Sequence, residues 1–170
     1  MAAPVYRVNN GASPTTAATS KIAVTTSAKT HIQLLHPSQA LRVIEWGVSF
    51  DGTTAGTPII CELIHTTTVA ATVTAYVAND VMLFSDPLGN TPGLTLSTSG
   101  SGYNASAEGS VVAPVRTGDV QNVAPTNQYI KQFPLGQEFV VPAAGILRVR
   151  ITGFSGSTPN ASSYVVFSVG

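Results

Sequence analysis

The stretch Leu41-Arg42-Val43-Ile44-Glu45-Trp46-Gly47-Val48-Ser49-Phe50, closed by Asp51-Gly52, decides the fold class. Side chains alternate across a strand. Strict alternation therefore puts Arg42, Ile44, Trp46, Val48 and Phe50 on one face and Leu41, Val43, Glu45, Gly47 and Ser49 on the other. The first face is almost wholly apolar and is predicted to look into a core. Asp51-Gly52 is a turn pair. Ten residues with period two and no helical period make this a strand, and the rest of the chain repeats the theme.

Working outward, His31 to His36 alternates and stops at Pro37-Ser38. Ile59 to His65, Thr72 to Val77, Gln128 to Phe133, Ile146 to Thr152 and Ser163 to Val169 read as further strands, with a weaker one over Ala105 to Val115 that breaks at Pro114. About eight strands, separated by Gly/Pro turns and with no helical segment, predict a single-domain, all-β antiparallel sandwich. Eight strands suit a jelly roll. A seven- or nine-stranded immunoglobulin-like sandwich is the alternative, without its Cys-Trp-Cys signature.

The first 28 residues differ. Residues 1–28 are rich in Ala, Thr and Ser and hold two short apolar pieces, Val5 to Val8 and Ile22 to Val24. They read as an extended N-terminal arm outside a domain of residues 29–170, either a disordered tail or an arm that orders by adding a strand to a neighbour. Residues 79–103 read as a long polar loop, ending in Ser97-Thr98-Ser99-Gly100-Ser101-Gly102.

Composition narrows the function classes. Only 9% of the 170 residues are charged, and 8 basic residues balance 8 acidic ones. A surface built from Ser, Thr, Asn, Gln and Gly suits a protein that packs against others. It offers no basic stripe for a nucleic-acid backbone. No apolar run is long enough to span a membrane as a helix. The N-terminus lacks the basic and apolar regions of a signal peptide, so synthesis in a cytoplasm is expected.

Chemistry is harder to find. His31, His36 and His65 show no metal-ligand spacing and read as solvated strand-end residues. Cys61 is the sole cysteine, and its apolar setting predicts a buried hydrophobe. The eight carboxylates are scattered. Gly100-Ser101-Gly102 lacks the flanking pattern of a nucleophile elbow and reads as a flexible surface loop. Asn104-Ala105-Ser106 and Asn160-Ala161-Ser162 match a glycosylation acceptor only in a secreted chain. No cofactor, metal or catalytic residue is assigned, and a non-enzyme is expected. A sandwich hydrolase would need converging carboxylates or a His-activated serine. Contact residues are sought instead in Val5, Tyr6, Arg7 and Val8 of the arm and in Arg148 and Arg150, which alternate on the outward face of their strand.

Four segments carry a family resemblance. They are Arg42 to Gly52, Gly102 to Gly109, the run Ala124 to Tyr129 with Lys131 to Gly136, and Leu147 to Arg150. These resemble small proteins encoded by tailed bacteriophages, notably phages of actinobacteria, over roughly residues 40–170. The resemblance implies a capsid decoration or cement protein on the outer surface of the virion head, made in the host cytoplasm. It also implies a homotrimer of β-domains whose partner is the major capsid protein. The rival reading is a carbohydrate- or receptor-binding domain of a tail or fibre, for which Tyr103 is the aromatic singled out in the long loop.

Overall fold

The computed structural model describes residues 3–14, 16, 18–84, 92–109, 114 and 116–170. Thirteen strands occupy them: β1 (Val5–Asn9), β2 (Ile22–Ala23), β3 (Lys29–Leu35), β4 (Leu41–Phe50), β5 (Ile59–Thr66), β6 (Thr72–Ala75), β7 (Met82–Leu83), β8 (Gly102–Ala107), β9 (Arg116–Val123), β10 (Gln128–Gln132), β11 (Phe139–Val141), β12 (Ile146–Thr152) and β13 (Asn160–Val169). A single 3-10 turn, Ala78–Asp80, precedes β7. The strands form two antiparallel sheets packed as a sandwich. The first runs β10-β4-β13-β1-β7, with β11 also on β4 and β2 on β13. The second runs β6-β8-β3-β12-β5-β9.

Pairing is nested along the chain. β1 pairs with β13, β3 with β12, β4 with β10 and β5 with β9. Two further pairings, β13 with β4 and β12 with β5, join these hairpins side by side. The core lies between the sheets. Tyr6, Val8, Trp46, Val48, Val165 and Phe167 enter it from the first sheet, and Ile32, Leu34, Cys61, Leu63, Leu147 and Val149 from the second.

The N-terminal segment is therefore not a detachable arm. Val8 is fully buried, and Tyr6 stacks on Phe167 with ring centroids 5.7 Å apart. Five residues of β1 run in register along β13. Ile22 and Val24 are buried as well. The pieces look short and weak in sequence because each supplies only two inward side chains. Their neighbours supply the rest of the layer.

The face assignment of β4 also needs correction. Glu45 lies opposite Val166 and Val43 opposite Phe167, so Ile44 is an extra residue. Such a bulge shifts the alternation by one. Leu41 and Val43 face inward on one side of it, Trp46 and Val48 on the other. Arg42 is exposed, and its Nε donates to the Gly170 carbonyl at 2.8 Å. A second bulge makes His31 the extra residue of β3, since Val149 pairs with Ile32 and Arg150 with Thr30.

Other boundaries moved for local reasons. β9 is polar along most of its length, so hydrophobic alternation does not reveal it. The strand expected over Ala105 to Val115 begins earlier, at Gly102, and ends at Ala107; residues 110–113 and 115 lie outside the described residues. Part of the expected loop, residues 85–91, does too. The rest of that loop is ordered structure. Gly100, Ser101 and Gly102 are buried, not a flexible surface loop. Ser101 Oγ accepts from the Leu35 amide at 2.9 Å and donates to its carbonyl at 3.3 Å.

Candidate functional site

The outward faces of the two sheets differ, and the difference locates the available surface. The second sheet is strapped by its own chain. Gln33 projects outward from β3, and its amide accepts from Ala71 N at 2.8 Å while donating to the carbonyls of Gly100 at 2.6 Å and Ala71 at 3.3 Å. Arg148, beside it on β12, donates to the Val69 carbonyl, to the Glu108 carbonyl at 3.1 Å and to Glu108 Oε2 at 3.3 Å. Glu108 in turn accepts from the Thr30 amide and from Thr30 Oγ1, the latter at 2.7 Å. Burial lowers the Arg148 pKa, and the Glu108 carboxylate opposes that shift.

Arg148 is thus fully buried, contrary to the expectation of an outward contact residue. The alternation placed it on the right face. What covers that face comes from residues 66–71 and 100–109, which no local pattern announces. Arg150 sits on the same face in a two-pronged pair with Glu62, Nε–Oε2 at 2.8 Å and Nη2–Oε1 at 3.2 Å. Tyr6 and Val8, expected as contacts, lie in the core, and Val5 is half-buried. Of the six residues singled out, Arg7 alone lines the concavity described below.

The outward face of the first sheet carries no such strap among the described residues. Its register sets Gln128, Ser49 and Ser162 in one row, and Ile130, Gly47, Tyr164 and Asn9 in the next. Glu45, Val166, Arg7 and Met82 form a third. Gly47 is essential to the middle row. A Cβ there would lie 2.6 Å from Tyr164 Cε1, so its absence lets the ring lie flat over β4. Glycine inside a strand marks such a close approach. The Tyr164 hydroxyl donates to Glu45 Oε1 at 2.6 Å. Burial, reinforced by that bond, pushes its pKa up to about 12. The Arg7 guanidinium lies 4.2 Å from the ring centroid, and its Nε donates to Asn9 Oδ1 at 3.2 Å. Beside this strip is a concavity of about 330 Å³, lined by Arg7, Asn9, Ser49, Gln128, Ile130 and Tyr164 among others.

Several groups with catalytic potential are buried or held in structural contacts. Asp119, on β9, bridges the sheets: its Oδ2 accepts from Trp46 Nε1 at 3.2 Å and from the Tyr129 hydroxyl at 2.8 Å. Cys61 is buried, and desolvation pushes its thiol up to about 12. The three histidines are buried rather than solvated. His36 Nδ1 accepts from the Gln39 amide at 2.8 Å. The His31 ring has no hydrogen-bond partner among the described residues, and burial, with Lys29 nearby, pushes it down to about 3. His65 is lowered by burial and by Arg116. Among the described residues no three His, Cys, Asp or Glu side chains gather around a possible metal position. Tyr103, the aromatic of the rival reading, is half-buried, its ring centroid 5.3 Å from that of Tyr76.

Comparison with protein-family models, with curated proteins and with solved structures found no match.

Proposed function

We propose that this chain is a structural virion protein, a non-enzymatic capsid decoration or cement protein that binds the outside of a tailed-phage head and stabilises it. The observation that carries the reading is the asymmetry between the two sheet faces. One is sealed by the chain's own segments. The other is broad and bare, and the charges of its central strip, Arg7 and Glu45, are engaged with the ring and hydroxyl of Tyr164. Apart from the Arg7 Nη groups, such a face carries few groups that must surrender strong hydration on being covered.

The nested pairing supports the same reading. The order β1-β13-β4-β10 in one sheet and β3-β12-β5-β9 in the other supports reading the sandwich as an eight-stranded jelly roll, an architecture used in viral capsids. The phage-like segments quoted above point the same way. The major capsid protein is the proposed partner and the outer capsid surface the proposed location. A homotrimer would present three such faces at once and gain affinity by multivalency. The test is electron microscopy of purified particles with mass spectrometric copy counting. Density for this domain on the head exterior, in multiples of three, is expected. Its absence from the particle overturns the proposal.

A further inference from the structure

We propose that the concavity beside Arg7 is a saccharide-binding site that takes a sugar carrying a carboxylate. This inference does not depend on the virion reading. It starts from how Arg7 is held. Glu45 fixes the Tyr164 hydroxyl at 2.6 Å, Gly47 leaves room for the ring, the ring supports the guanidinium at 4.2 Å, and Asn9 holds its Nε at 3.2 Å. Four contacts on three adjacent strands, β4, β13 and β1, thus immobilise an arginine at the rim of an open hollow. Its two Nη groups have no partner among the described residues. A planar guanidinium fixed in this way matches a carboxylate with two parallel hydrogen bonds. The ordering cost of that side chain has already been met in the unbound protein.

The remaining lining distinguishes a sugar acid from an acidic protein side chain. A lone Asp or Glu would use only the fork. Here Gln128, Ser49 and Ser162 stand in one row across β10, β4 and β13, and all three line the hollow with Asn9. Amides and hydroxyls both donate and accept, as the hydroxyls of a sugar require. Ile130, 54% exposed, offers an apolar wall to the face of a ring. A volume of about 330 Å³ lies at the small end of ligand-binding clefts.

The experiment is a glycan array followed by calorimetric titration of the full chain with oligogalacturonate, sialyllactose, neutral lactose and an oligoglutamate peptide. Binding to at least one acidic glycan is expected, with lactose and the peptide at least about tenfold weaker. Arg7→Ala should lose about tenfold or more for the acidic glycan. Arg7→Lys, which keeps the charge without the fork, should recover little of that. Gln128→Ala, at an exposed edge position, should weaken binding with the fold intact. Thermal unfolding of each variant confirms that it is folded. No acidic glycan bound by the wild-type chain overturns the proposal, as does binding undiminished in folded Arg7→Ala. Preference for the peptide over every glycan assigns the fork to a protein partner and also overturns it.

Discussion

His31 shows how a single side chain here links burial to pH. It is the extra residue of a bulge, it is fully buried, and neither ring nitrogen has a partner among the described residues. The folded protein therefore holds it neutral down to about pH 3, whereas the unfolded chain protonates it near its ordinary value of 6.5. Below 6.5 the unfolded state binds the additional proton, so this contribution to stability is intact above 6.5 and falls steadily towards about 3. A gap of that size corresponds to roughly 5 kcal/mol at the acid end. His31→Leu should therefore show a flatter stability curve between pH 6.5 and 3 than the wild-type chain, measured by urea unfolding at stepped pH. Parallel curves would remove His31 as the cause. Such a residue is not legible from its neighbours, because strand-end position suggests solvent and only the long-range pairing buries it. Gly47 was not legible as a contact: alternation only places it on one face of β4, and the close approach of the Tyr164 ring appears with the long-range pairing.

At the scale of elements, strand type was readable wherever alternation was clean, as in β5, β12 and β13. It failed where a bulge shifts the alternation, as at Ile44, and where polar residues line an edge, as in β9. β1 was misjudged as an arm because two inward residues, Tyr6 and Val8, are too few to signal a core strand. Their contribution is nevertheless large. Losing each buried side chain costs about 2–5 kcal/mol, against a net stability of roughly 5–15 kcal/mol for an ordinary domain. Deleting residues 1–28 should therefore leave an unfolded or aggregating chain, seen as collapsed dispersion in the amide NMR spectrum. A folded remainder would restore the arm. The Asp119 bridge makes a second prediction between elements. Asp119→Ala strands the Trp46 indole N–H, which is buried, at a cost of about 2 kcal/mol. It also removes one cause that raises Tyr129 to about 12, the larger being burial. Denaturant unfolding should show the loss, and tyrosinate absorbance should show one tyrosine titrating at lower pH. An unchanged tyrosine titration would sink this account of the bridge.

Across the whole molecule, the composition that suggested a packing protein has a definite electrostatic meaning. Only 9% of residues are charged, and much of that charge is committed internally. Arg148 pairs with Glu108, Arg150 with Glu62 and Lys21 with Asp51. Asp119 holds the two sheets together, and Glu45 holds Tyr164. The first two ion pairs are largely buried, where salt screens poorly. The Lys21–Asp51 pair is exposed, and pairs of that kind contribute about 0–1 kcal/mol. The net charge is zero, so no long-range self-repulsion remains for salt to relieve. Raising sodium chloride from 50 mM to 500 mM at pH 7 should therefore shift the melting temperature by less than about 2 °C. Differential scanning calorimetry checks this. A shift of several degrees would mean that exposed charge, rather than the apolar layer between the sheets, carries a substantial part of the stability.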